Sequence, residues 1–136
     1  MKQEDKDLLL KDLCARLPYG VKLSVQSWDE REMEYIDRVD VLYSVNGDEY
    51  IKSTNEDYDF RLEDIKPYLF PLSSMTDKQV DEYANLRQDI WDKLKDWKCA
   101  KLLDWLNKNH FDYRGLIPMG LAIDATGLNI YKEETK

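Results

Sequence analysis

The chain has 136 residues, enough for one ordinary domain, and 43% of them are hydrophobic, with four Trp and nine Tyr, so a sizeable core is expected and disorder throughout is excluded. Its 28 acidic residues against 20 basic ones leave a formal charge of -8, which repels a phosphate backbone and argues against direct nucleic-acid binding. No apolar run is long enough to span a bilayer, and the acidic start MKQEDKDLLL lacks the basic end and apolar run of a signal peptide, so a reducing cytoplasm and no membrane partner are expected.

Leu9, Leu10, Leu13, Cys14 and Leu17 recur at helical spacing, with Lys11, Asp12 and Arg16 on the other side, which predicts a helix over residues 1–17 with one buried stripe. Cys14 and Cys99 lie on such apolar faces without a CxxC pattern and read as buried, reduced thiols. Pro18-Tyr19-Gly20 stops the helix. Val21, Leu23 and Val25 then alternate with Lys22, Ser24 and Gln26, the period of a strand with one wet face. After the charged turn Trp28-Asp29-Glu30-Arg31, Met33 and Tyr35 open a second strand, which Val39, Val41, Tyr43 and Val45 continue to Asn46-Gly47. That pair favours a two-residue hairpin turn and sets Val45 opposite Asp48, Tyr43 opposite Tyr50 and Leu42 opposite Ile51. Phe60 and Leu62 suggest a further short strand, while Pro67 and Pro71 argue against a central strand or continuous helix across Ile65 to Leu72.

Thr76-Asp77-Lys78-Gln79 matches a capping box and starts a helix. Run without interruption to Asn109 it would be about 50 Å long at roughly 1.5 Å per residue, too long for a compact domain of this size, so a break is expected between Arg87 and Lys98. Leu102, Leu103 and Leu106 dock its second part, Asn109 is placed to take the left-handed cap, and His110 to Leu116 form a rigid corner. Leu121 to Ile123 form a short apolar run, and 132–136 a charged tail that frays. With no repeat or linker, residues 1–136 read as a single domain, mainly β over 21–72 and mainly α over 76–116. The fold class is α+β: an N-terminal helix, a small antiparallel sheet that is curled or a partly open barrel, and C-terminal helices packed on it.

Three stretches, LLLKDLCARLPYGVK, IKPYLFPLSSMT and DWLNKNHFDYRGLI followed by GLAID, resemble an uncharacterised family of small proteins carried by phages, prophages and mobile elements of gut Bacteroidetes. The resemblance implies a genomic context and assigns no activity, ligand or functional residue.

His110 with Asp112, Tyr113 and Arg114 is the one local constellation suited to acid–base work, although caps and surface pairs explain the same residues. No second histidine offers a metal partner, and Asp57-Tyr58-Asp59 lacks the remaining ligands and glycine of a calcium loop. Ser73 and Ser74 stand in no nucleophile motif and suit a turn, and five scattered glycines build no phosphate loop, so no metal or cofactor is expected. Trp91, Trp97, Ile90 and Leu94 span more than one helical face and mark an apolar surface for another protein or a second copy. The expected role is therefore a non-enzymatic protein-interaction or accessory module. An acidic DNA-mimic inhibitor and a small hydrolase or transferase using His110 are the alternatives.

Overall fold

The computed structural model describes residues 1–47, 49–54, 59–93 and 96–131, with the backbone alone for 89–93 and 96–99. Helix α1 (Gln3–Arg16) tightens into a 3-10 turn, Leu17–Tyr19, where proline takes an early position and Gly20 at φ 66° lets the chain reverse. Strands β1 (Lys22–Asp29), β2 (Glu34–Asn46), β3 (Tyr50–Ser53) and β4 (Phe60–Arg61) follow, then a 3-10 turn at Leu62–Asp64 and strand β5 (Ile65–Pro71). Helices α2 (Asp77–Lys93) and α3 (Asp96–Lys108) precede two short strands, β6 (Phe111–Asp112) and β7 (Ile123–Asp124). The helical stretch is thus two helices, as the length argument requires; Leu94 and Lys95, between them, lie outside the described residues.

The fold is α+β. The sheet runs β4-β3-β2-β1-β5-β6 with β7 also on β5; β1 to β5 pair antiparallel, whereas β6 and β7 run parallel to β5. It is therefore mixed rather than purely antiparallel, and it stays open rather than closing into a barrel. Only the three residues Leu62–Asp64 join β4 to β5, on opposite sides of the β1–β3 layer, so the sheet must curl strongly. Leu9 and Leu13 of α1 pack into the curl against Leu23, Val25, Leu42 and Ile51, and each such side chain, fully buried, contributes about 1.5–3 kcal/mol.

Four local expectations are overturned. First, α1 buries Leu9, Asp12, Leu13 and Arg16, while Cys14 is exposed. The stripe is rotated because Asp12 and Arg16 form a fully buried ion pair at 2.7 Å, tied to Phe111 O and Arg114. Second, β2 turns Asp40 and Leu42 inward and Val39 and Tyr43 outward, the reverse of its apolar alternation; Ser53 Oγ donates to Asp40 at 2.7 Å and satisfies the buried carboxylate. Third, the hairpin forms with Asn46 opposite Tyr50 and Val45 opposite Ile51, so three residues close it instead of two, and Asp48 lies outside the described residues. A bulge between Leu42 and Ser44 sets Tyr43 aside, which lets Leu42 and Val45, three apart, both reach the core. Fourth, β5 is a central strand despite its prolines. The ladders end at them: β1 pairs with Ile65 to Pro67, and β7 and β6 only with Tyr68 to Pro71, so each proline is the last residue of its ladder.

Candidate interaction face

His110, not Asn109, takes the left-handed position at the end of α3, with φ 62°, while the Asn109 side chain donates to Trp105 O at 2.9 Å. The imidazole lies flat on the Tyr131 ring, centroids 3.8 Å apart, and its Nδ1 is buried without a hydrogen-bond partner among the described residues. Burial, with Arg16 and then Lys22 nearby, lowers its pKa from 6.5 to about 4, so the ring is neutral near pH 7. Asp112 does not orient it: both carboxylate oxygens accept backbone N–H groups, from Leu116 and Ile117, at 2.9 Å. Tyr113 donates to Asn107 at 2.8 Å, and Arg114 to Asp12 at 3.2 Å. The corner is thus a set of caps and ties, and no acid–base pair is assembled around His110 among the described residues.

Ser74 Oγ donates to Pro71 O at 2.7 Å and holds the turn before α2. Asp59 accepts from Asn46 at 2.9 Å; Asp57 and Tyr58 lie outside the described residues. Among the described residues no three side chains of metal-binding type come together. Leu94 also lies outside them, as do the side chains of Ile90, Trp91, Trp97 and Cys99. Leu106 is buried as expected, but Leu103 is exposed. Trp105 stacks between Tyr83 and Phe111, which continues through Phe70 to Tyr131 and binds α2, α3, β5 and the last turn together.

The feature that stands apart from all this packing is the far end of the β1–β2 hairpin. β5 pairs with β1 only over Leu23 to Val25, and β3 pairs with β2 only from Leu42 onward. Residues 26–29 and 34–40 therefore form a two-stranded ribbon that overhangs the sheet, with no second strand beside either edge among the described residues. Such a ribbon is marginal by itself. Its turn is set by Asp29, whose carboxylate accepts from Arg31 N at 2.9 Å, and Met33 is held at φ 54°, a strained conformation for a side chain of this size. Trp28 and Tyr35, directly opposite across the strands, meet edge to face at 5.1 Å. Trp28 is 45% exposed, Tyr35 68% and Met33 70%.

Between the ribbon and the β3–β4 hairpin lies a groove of about 640 Å³ lined by Trp28, Tyr35, Tyr50, Asp59, Arg61 and Asp64. A second hollow of about 290 Å³ shares Gln26 and Asp64 with it and adds Asp37, Glu63 and Lys66. Glu63 is neutralised by Lys6 at 3.2 Å, and that hydrogen bond lowers its pKa. Asp37 and Asp64 have no ion pair among the described residues. The sequence reading missed this face, although a signal was present. Trp28 continues the register of Lys22, Ser24 and Gln26, the wet side of β1, so an aromatic ring on that side had no core to enter.

Comparisons with protein-family models, with curated proteins and with solved structures found no match.

Proposed function

We propose that the chain is a protein-interaction module that docks a partner protein on the overhanging ribbon, with Trp28 and Tyr35 as anchors. The observation that carries this reading is the exposure of Trp28, Met33 and Tyr35 together at the end of a ribbon whose edges lack a second strand. Large aromatic side chains dominate the energetics of protein interfaces, and the core of this fold is filled without these three. No helix among the described residues is long and apolar enough to cross a membrane. The mobile-element context that the sequence resemblance implies, and the cytoplasmic location that the composition leads one to expect, accord with an accessory role of this kind.

The test is affinity capture from the native host with three baits: the wild-type chain, Trp28→Ala with Tyr35→Ala, and Trp91→Ala with Trp97→Ala. The reading expects a specific partner lost with the first variant and kept with the second. Loss only with the second would move the docking surface to the helices. Retention by both variants would sink the assignment to either face.

A further inference from the structure

Resting on the reading of the ribbon as a protein-binding face, we propose that its groove takes an extended, cationic segment of the partner chain, an arginine or lysine lying over the Trp28 and Tyr35 rings and reaching the carboxylates of Asp37 and Asp64. Charge selects the occupant. From Gln26 to Arg38 the ribbon carries Asp29, Glu30, Glu32, Glu34 and Asp37 against Arg31 and Arg38, and the two hollows beside it add Asp59 and Asp64 against Arg61 and Lys66, with Glu63 paired to Lys6, so the face keeps an acidic surplus. A cation over an aromatic face is attracted by the ring quadrupole, and a carboxylate next to the ring fixes where that cation ends. A phosphate polymer is repelled by the same carboxylates. A second copy of this chain, paired face to face across a two-fold axis, would set one acidic ribbon against another.

Shape selects the form. The two hollows share Gln26 and Asp64, so they run on from each other and suit a strand-like segment better than a globular surface. Residues 26–29 and 34–40, with one edge each left without a strand among the described residues, offer backbone groups for the segment to pair with.

The experiment presents random peptides of about 12 residues, with arginine fixed at alternate positions, and the same library with glutamate in its place, to the full chain. Three proteins are compared: wild type, Trp28→Ala, and Asp37→Asn with Asp64→Asn, each checked for an unchanged thermal midpoint and circular dichroism. The arginine library should be retained by the wild type, with Kd raised about tenfold or more by either variant and raised again on going to roughly 0.5 M salt. Equal retention of both libraries, or arginine binding indifferent to Asp37→Asn with Asp64→Asn, overturns the cationic segment. If uncharged or acidic peptides bind and Trp28→Ala releases them, the cation assignment fails while the protein-binding face survives. A dimer that sedimentation detects and Trp28→Ala dissolves puts a second copy in the groove and also overturns the proposal. No Trp28-dependent binding of any peptide, with partner capture unchanged by Trp28→Ala and Tyr35→Ala, sinks both readings.

Discussion

Asp12 and Arg16 show at the scale of single residues why polarity does not predict position. Both are fully buried, with Arg16 Nε on Asp12 and Nη2 on Phe111 O at 2.6 Å, while Arg114 closes the other side of the carboxylate. Asp12→Ala strands a buried guanidinium and should cost about 3–5 kcal/mol in urea unfolding, whereas Asp12→Leu with Arg16→Met, which removes both charges, should recover most of that loss. His110 supplies a pH dependence. Its folded pKa of about 4 lies below the ordinary 6.5, so between those values the unfolded chain binds the proton and the folded one does not. The His110 contribution to stability should therefore be lost as the pH drops from about 6.5 to about 4, by up to about 3 kcal/mol, and be constant below. His110→Asn keeps a residue tolerant of positive φ and lacks that slope, so the difference between the two pH–stability curves isolates the imidazole.

At the scale of elements, local chemistry was legible. The capping box predicted from Thr76 and Gln79 is reciprocal: Thr76 N donates to Gln79 Oε1 at 2.9 Å, and Gln79 N to Thr76 Oγ1 at 3.2 Å. Thr76→Ala should cost about 1 kcal/mol, read from thermal unfolding. The β1–β2 turn carries the opposite kind of feature, a strained Met33. Met33→Gly should stabilise the fold by about 1 kcal/mol if only backbone strain is relieved, and weaken partner capture if the thioether is part of the docking face. The turn at Ile130 and Tyr131 is fastened by Lys22 Nζ, which donates to Ile130 O at 2.8 Å, and by the Tyr131 hydroxyl. Tyr131 accepts from Lys22 N at 2.7 Å and donates to Tyr68 O at 2.8 Å, bridging β1 and β5 where their ladder has ended, and burial keeps the phenol protonated. Tyr131→Phe leaves the Lys22 N–H without that acceptor and should cost about 1–3 kcal/mol in chemical unfolding.

At the scale of the whole molecule, the structure separates what holds the fold from what faces outward. The core is built by α1, the curled sheet and the corner after α3, and the aromatic chain from Tyr83 to Tyr131 ties the helices to β5. The ribbon contributes Ser27, Arg38 and Asp40 inward as a polar cluster, Arg38 donating to Ser27 at 3.2 Å, and shows its rings outward. Trp28→Ala with Tyr35→Ala should therefore leave unfolding free energy within about 0.5–1 kcal/mol of wild type while abolishing partner binding. A larger loss of stability would mean that the rings pack for the fold and would count against a docking role.

The sequence by itself determined the α+β class and most of the elements, because spacing, turn residues and caps act within a few residues of the chain. It misplaced the end of β1, which runs on through Trp28 and Asp29 where the charged residues predict a turn, because their cross-strand pairs with Tyr35 and Glu34 extend the ladder. It could not determine which side of α1 and β2 is buried. Asp12 reads as a surface residue until Arg114, 102 positions later, is brought beside it. Val39 reads as a core residue until Asp40 is satisfied from β3. Burial of a charge is settled by whether a distant group compensates it, and only the tertiary structure supplies that group. For the same reason the exposure of Trp28 and Tyr35 follows only from the completed fold, which offers no core on their side of the ribbon, while the side chains of Trp91 and Trp97 lie outside the described residues.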